Sequence, residues 1–303
     1  MEKGGNIFDK QFIFVIGAPR SGTTWLQTLL GENTSIATTV ELTIFHKYIG
    51  PWVDAWESEQ ASISSQKWYL GQPMIWSEEE FNGFIKDFLQ KSYSKVLEKN
   101  SGASHILDKH PGYTFQVDLI KKWFPNAKFI HLIRDGRNVA NSLVQVRKKL
   151  GKGYGTKNFD TAALQWSQFV NEAKKASKFS DDYLEVRYED LVENTTEELS
   201  KILHFCDIHV SIESVRATSE KFDYKTMKAN RVSQEESIKI TSAHFNQDKS
   251  ELSSYQDYLF NKVAGSLLIE LGYETNENWW AKNSLSKVFI PIQHKFKILK
   301  RKL

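Results

Sequence analysis

The sequence predicts an α/β fold, a mostly parallel sheet flanked by helices on both faces, and three runs carry that prediction. FIFVIGA (12–18), SHILD (104–108) and AKFIHLIRD (127–135) are short and apolar, rich in β-branched and aromatic residues. Strands buried on both faces read this way. Each is followed by a stretch with helical periodicity, and strand–helix alternation builds a parallel sheet.

Taken in order, FIFVIGA is bounded by Gly and Pro and leads into GTTWLQTLLGEN (22–33). That segment is predicted as a helix with Trp25, Leu26, Leu29 and Leu30 on one face, stopping near Gly31. A helix over about Thr114 to Phe124 separates the next two strands, and Pro125 helps to end it. GRNVANSLVQVRKKL (136–150) is the following helix, and a Gly/Lys-rich loop spans 151–157. FDTAALQWSQFVNEAKKASKF and TEELSKILHFCDI are further helices on either side of YLEVRYEDL, a strand entry. SYQDYLFNKVAGSLLIELGYE (254–274) is predicted as a strong amphipathic helix that closes one domain over 1–275, leaving 276–303 as a basic aromatic tail.

Bulk properties narrow the function. The 303 residues are 40% hydrophobic and 25% charged, ordinary for a globular protein. No run of about 18 apolar residues is present, so no spanning helix is expected. The N-terminal MEKGGNIFDK lacks the apolar core of a secretory signal. Cys206 is the sole cysteine, which excludes an internal disulfide and leads to the expectation of a reducing, cytoplasmic setting. The histidines are scattered without cysteine partners, so no zinc cluster is expected. Net charge is +3, but seven of the 40 Lys/Arg and none of the 37 Asp/Glu lie in 281–303. The rest of the chain is therefore mildly acidic, and a nucleic-acid partner is not indicated.

The loop after the first strand is the most informative stretch. Gly17-Ala18-Pro19-Arg20-Ser21-Gly22-Thr23-Thr24 keeps the glycine frame and final Thr of a phosphate-binding loop, but Thr23 stands where its lysine belongs. Backbone N–H groups at the helix start can cradle an anion, and the long cation has moved into the loop as Arg20. Without that lysine, and with no carboxylate pattern for a metal beyond the strand-ending Asp108 and Asp135, the loop suits an anion handled without metal. The bland alternative is a tight turn with an exposed arginine.

PRSGTTWL resembles the 5′-phosphosulfate loop of sulfotransferases that use 3′-phosphoadenosine 5′-phosphosulfate (PAPS). FIHLIRDGRNVANSL (129–143) is similar to the same family's 3′-phosphate motif, an arginine ending a strand and a serine eight positions later, here Arg134 and Ser142. A forked guanidinium with a hydroxyl suits a terminal phosphate monoester. YLEVRYEDLVENTTEELSKILHFC (183–206) resembles the bacterial and tyrosylprotein-type branch, whose tyrosine at the nucleotide site corresponds to Tyr188. Ordinary core packing is the equal alternative for Tyr188. The resemblance spans roughly residues 11 to 275 and implies a P-loop-type sheet. It also implies PAPS as co-substrate, adenosine 3′,5′-bisphosphate as product and no metal. The implied donor-binding residues are Arg20, Ser21, Gly22, Thr23, Thr24, Trp25, Arg134, Ser142 and Tyr188.

Sulfuryl transfer needs an acceptor in line with sulfur, a base, and stabilisation of the leaving phosphate. The tyrosylprotein-type resemblance implies Glu41 as base, 21 positions after Arg20. His110, in DKHPG, is the rival, since the cytosolic branch carries its histidine in a similar context. In the tyrosylprotein-type branch the analogous segment carries a catalytic lysine, so the resemblance implies Lys109, with Arg20, at the sulfate and leaving-phosphate oxygens, and His110 is the second choice. The cytosolic branch's C-terminal basic-glycine lid is not evident; Lys228, Arg231 and the basic residues Arg147, Lys148, Lys149 and Lys152 are the candidates to replace it.

Residues 43–100 are expected to form a mainly helical acceptor-side insertion, in which Trp52, Trp56, Trp68, Trp76, His46, Tyr48 and Tyr69 either pack or line a pocket. The acceptor class stays open among small molecules, carbohydrates, lipids and peptides. The tail mixes Trp279, Trp280, Phe289, Ile290 and Phe296 with lysines. Peripheral contact with an anionic membrane through 281–303 is one expectation, and an arm docked on the domain or on the second subunit of a homodimer is the other. Pro291 argues against one continuous helix there. The competing classes are a P-loop small-molecule kinase, which would depend on Mg²⁺, and a non-catalytic nucleotide-binding protein.

Overall fold

The structure is a computed structural model and describes residues 5–66, 71–151, 153–222 and 252–302. In chain order the elements are β1 (Gln11–Ile16), α1 (Thr23–Gly31), β2 (Ile36–Thr38), α2 (Gly50–Ser64) and α3 (Glu78–Leu97). There follow β3 (His105–Lys109), α4 (Val117–Trp123), β4 (Lys128–Ile133), α5 (Gly136–Leu150) and α6 (Phe159–Lys174). The chain continues through β5 (Tyr183–Arg187), α7 (Tyr188–Glu193), α8 (Thr195–Phe205), α9 (Ile212–Lys221), α10 (Ser254–Glu270) and α11 (Ser284–Lys302). A π-helical turn, Ile44–Ile49, precedes α2, and a 3₁₀ turn, Pro111–Phe115, precedes α4.

The strands form one sheet in the order β2-β3-β1-β4-β5. β1 pairs in parallel with β3 and β4, and β2 in parallel with β3. The fold is α/β, with helices flanking the sheet. The connection leaving β1 runs toward β2 and β3, and that leaving β4 runs toward β5. The carboxyl ends of β1 and β4 therefore mark a topological switch point, where open α/β sheets bind ligands.

The described chain divides into two compact units. The first comprises residues 5–17, 23–132 and 172–222, the second 18–22, 133–171 and 252–302. In the first, alternation along β1 turns Phe12, Phe14 and Ile16 to one face. There they pack with Phe45, Tyr93, Tyr113, Phe124 and Phe129. Phe12 stacks on Phe124 at 3.7 Å between ring centroids, and full burial of such a ring contributes about 1.5–3 kcal/mol. Ile13 and Val15 are equally buried toward the other face. α3 begins with a capping box, Ser77 accepting from the Glu80 amide while Glu80 accepts from that of Ser77. In the second unit, Val139, Ala140 and Leu143 of α5 pack on Ala162, Ala163 and Trp166 of α6 and on Phe260 and Leu268 of α10. Gly136 is required at the start of α5, because a Cβ there would collide with Trp166 and Phe260.

Three expectations change. The segment from Thr114 begins as a 3₁₀ turn and becomes α-helical only from Val117 to Trp123. α10 ends at Glu270 and carries a non-helical residue, Ala264, at φ −138°. α11 continues through Pro291. The proline removes the backbone donor that would meet residue 287 and crowds that carbonyl, yet the helix continues on either side.

Candidate active site

In the second unit the loop arginine and the distant Arg/Ser pair meet. Arg20 has φ 76°, a left-handed conformation that costs an L-residue roughly 1–2 kcal/mol. The strained backbone turns its side chain so that Nε donates to Ser142 Oγ at 2.9 Å. Arg134 Nη1 in turn donates to the Arg20 carbonyl at 3.2 Å. Arg134 is held by its own backbone, whose carbonyl accepts from Trp166 Nε1 at 3.1 Å. Ser142 lies within α5, which is capped by Asp135 accepting from the Arg137 amide at 2.9 Å. Burial, and then the charge of Arg134, push the Arg20 guanidinium down to about 10. Two guanidinium groups of one sign, largely out of water, form a place that an anion would stabilise. The Ser21 hydroxyl adds a buried polar atom without a hydrogen-bond partner among the described residues. These groups fit a phosphate or sulfate oxygen set.

The first unit holds the other candidates. Gly17, at φ 133°, lies so close to β4 that a Cβ would stand 2.6 Å from the Leu132 carbonyl, so only glycine fits there. Thr23 and Thr24 open α1. Lys109 ends β3 with a side chain only 2% exposed. Its Nζ donates to Thr24 Oγ1 at 3.0 Å and forms an ion pair with Glu41 Oε1. A buried ammonium requires such partners. Glu41, by contrast, is 42% exposed and can meet a molecule arriving from solvent.

His110 stands beside this pair, its Nε2 3.8 Å from Glu41 Oε2. Its Nδ1 accepts from the Gly112 amide at 3.0 Å, so the neutral ring carries its hydrogen on Nε2. Burial pushes the imidazole down to about 4, with His46 and Lys109 adding to the fall and Glu41 opposing it. A neutral ring whose only lone pair is engaged is poorly placed to accept a proton. Glu41, half exposed, keeps its Oε2 outside the ion pair with Lys109.

Trp25 and Tyr188 come together as an edge-to-face pair at 6.0 Å. The Trp25 indole donates to the Phe222 carbonyl at 3.1 Å. Cys206 is buried, its thiol pushed up to about 12 by desolvation, and is inert. Of the lid candidates, Lys152, Lys228 and Arg231 lie outside the described residues, as do Trp68 and Tyr69 of the insertion.

Several supporting residues escaped the sequence reading. Thr114 Oγ1 accepts from the Gly17 amide at 3.1 Å, and the Tyr113 hydroxyl accepts from the Ile44 amide at 3.0 Å. One 3₁₀ turn thus braces both the entrance to the loop and the chain just after Glu41. Gln27 Nε2 donates to the Thr39 carbonyl at 2.7 Å and to Thr38 Oγ1 at 3.0 Å, tying α1 to the approach to Glu41. Asp108, which sequence left as a conceivable metal carboxylate, is buried and accepts at Oδ2 from Tyr93 and Tyr113 at 2.9 and 2.8 Å. Asp135 is taken up by Arg137. No sequence signal marks such tyrosine and glutamine contacts.

The helical segment after Glu41 contains an apolar recess of about 330 Å³, lined by Trp52, Trp56, Trp76, Phe81 and Phe84 with Glu59 at its wall. Trp56 is core, stacked on Phe81 at 4.3 Å. Trp76 is 38% exposed.

Comparison with known proteins supplies the family. Residues 12–211 match the profile described as Sulfotransferase family. An uncharacterized protein of Aquifex aeolicus is 30% identical over 216 residues, 68% of this chain and 26% of that protein. Protein-tyrosine sulfotransferase A of Caenorhabditis elegans is 26% identical over 201 residues, 65% of this chain, which spans only 50% of that relative. Among solved structures, mouse sulfotransferase SULT7A1 complexed with PAP superposes with a TM-score of 0.55 at 14% identity, over 90% of this chain and 93% of that one. That likeness concerns the fold. The profile match covers well over half of the sequence, and this chain belongs to the sulfotransferase family.

Proposed function

We propose that the protein transfers a sulfuryl group from PAPS to a hydroxyl or amine acceptor, with Glu41 as base. The observation that carries this reading is the convergence of Arg20, Arg134 and Ser142, through the 2.9 Å contact of Arg20 Nε with Ser142 Oγ and the 3.2 Å contact of Arg134 with the Arg20 carbonyl. Membership of the family and the PAP named with the mouse neighbour support the donor assignment. In this reading Arg134 and Ser142 bind the 3′-phosphate, and the loop residues Arg20, Ser21, Gly22, Thr23 and Thr24 bind the 5′ end. Trp25 and Tyr188 serve the adenosine side.

In the transfer the acceptor oxygen forms a bond to sulfur as the bond from sulfur to the bridging oxygen breaks. The acceptor proton passes to the Glu41 carboxylate, and adenosine 3′,5′-bisphosphate leaves. Lys109 and Arg20 neutralise charge growing on the bridging and sulfate oxygens, so electrostatics and positioning do most of the work. Lys109 has a second task, since its ion pair holds the Glu41 carboxylate in one orientation. The aromatic recess supports an acceptor with an apolar or aromatic body, and the tyrosine named for the C. elegans relative is one group of that kind.

The test is acceptor-dependent formation of adenosine 3′,5′-bisphosphate from PAPS over a panel of phenols, alcohols, amines and tyrosine peptides, with EDTA present. Turnover that persists in EDTA supports the reading. Transfer from ATP alone, abolished by EDTA, would assign the chain to phosphoryl chemistry.

A further inference from the structure

α11 presents an apolar stripe to solvent. Leu285, Val288, Phe289, Ile292, Phe296 and Leu299 are between 45% and 67% exposed. Their spacing places all six within an arc of about 100° on a helix. Isolated exposed hydrophobics are normal, but a continuous stripe along a whole helix marks an interaction surface.

The other side of the same helix is occupied. The Tyr255 hydroxyl and His294 Nδ1 are 3.1 Å apart, and the Tyr258 ring meets the His294 ring at 5.5 Å. Lys297 Nζ sits 3.7 Å over the Tyr255 ring. Ile290 and Pro291 are partly buried on that side. α11 is thus fastened to α10 through one face and turns its apolar face outward. Charge identifies what that face meets. Residues 281–303 hold seven Lys/Arg and no Asp/Glu, and the exposed Lys295 falls on a flank of the stripe. A second copy of this helix would bring like charges together. A surface of anionic lipid supplies both complements, acyl chains for the stripe and phosphates for the lysines. No described helix is long and apolar enough to cross a membrane, and 19 residues of α-helix span about 28 Å, suited to lying in the interface.

We propose that α11 lies in the plane of an anionic lipid surface, with the stripe from Leu285 to Leu299 as its embedded face. The experiment is co-sedimentation of the full chain with vesicles of phosphatidylcholine alone and of phosphatidylcholine with phosphatidylserine. Two variants accompany it, Phe289→Glu with Phe296→Glu, and Lys287→Glu with Lys295→Glu. All four positions are exposed, so folded variants are expected, checked by an unchanged Tm. The wild type should pellet with the anionic vesicles, at least tenfold more than with the neutral ones, and each double variant should lose at least tenfold. Absence of wild-type binding, or equal binding by the phenylalanine variant, overturns the proposal. A concentration-dependent dimer that the phenylalanine variant disperses, without vesicle binding, overturns it in favour of a second copy.

Discussion

Arg20 combines three properties that seldom coincide without a function: a left-handed backbone, burial, and a second guanidinium close by. Each opposes the folded state, and a bound oxyanion would offset all of them. Arg20→Ala relieves the charge repulsion and should leave a folded protein, with turnover lowered at least about a hundredfold, the usual consequence of removing one oxyanion donor. A steady-state assay on the variant checks this, and wild-type rates would remove Arg20 from the chemistry. Glu41 and His110 divide differently. Glu41→Gln should abolish transfer and retain affinity for adenosine 3′,5′-bisphosphate. His110, pushed down to about 4, remains neutral across the range from about pH 5 to 8 in which an ordinary imidazole titrates. The pH profile of kcat/KM should then lack an imidazole limb. A limb near neutrality that vanishes in His110→Asn would reverse the assignment of the base.

The 3₁₀ turn from Pro111 to Phe115 is the element on which the first unit's candidates rest. Through Thr114 and Tyr113 it touches Gly17 and Ile44, and through Tyr113 it reaches the buried Asp108. Burial pushes the Asp108 carboxyl up to about 6, against the Tyr113 and Tyr93 hydroxyls and Lys109, which draw it down. The fold thus favours the protonated form. Its contribution to stability is complete below the unfolded value near 4 and is lost as pH rises through about 6. Relative to the wild type, Asp108→Asn should therefore gain about 2–3 kcal/mol as pH rises from about 4 to 7. Denaturant titrations of both proteins at the two pH values measure it, and a pH-independent difference would contradict the burial argument. Elements of this kind show where sequence reading stops. The strands were legible because burial on both faces writes them as unbroken apolar runs. The loop was legible because its glycines and Arg20 have fixed spacing. β2, three residues long, has no period to detect, and the Tyr93–Asp108 contact depends on how α3 packs. Pro291 misled because one lost hydrogen bond does not end a helix that is otherwise continuous.

At the scale of the molecule, the strand order β2-β3-β1-β4-β5 brings the ends of β1 and β4 to a switch point. Within the second unit, two segments more than a hundred residues apart in sequence supply one cluster of cations. Sequence supplied both segments and the family they resemble, while the hydrogen bond that joins them needed coordinates. The cluster lacks the lysine of a triphosphate site, so its specificity should follow the 3′-phosphate. Thermal unfolding with adenosine 3′,5′-bisphosphate and with ATP at matched concentrations tests this most directly, since a ligand selective for the folded chain raises Tm. The account predicts a rise of several degrees with the bisphosphate, abolished in Arg134→Ala, and little change with ATP. A larger rise with ATP, or a bisphosphate shift undiminished in Arg134→Ala, would contradict it.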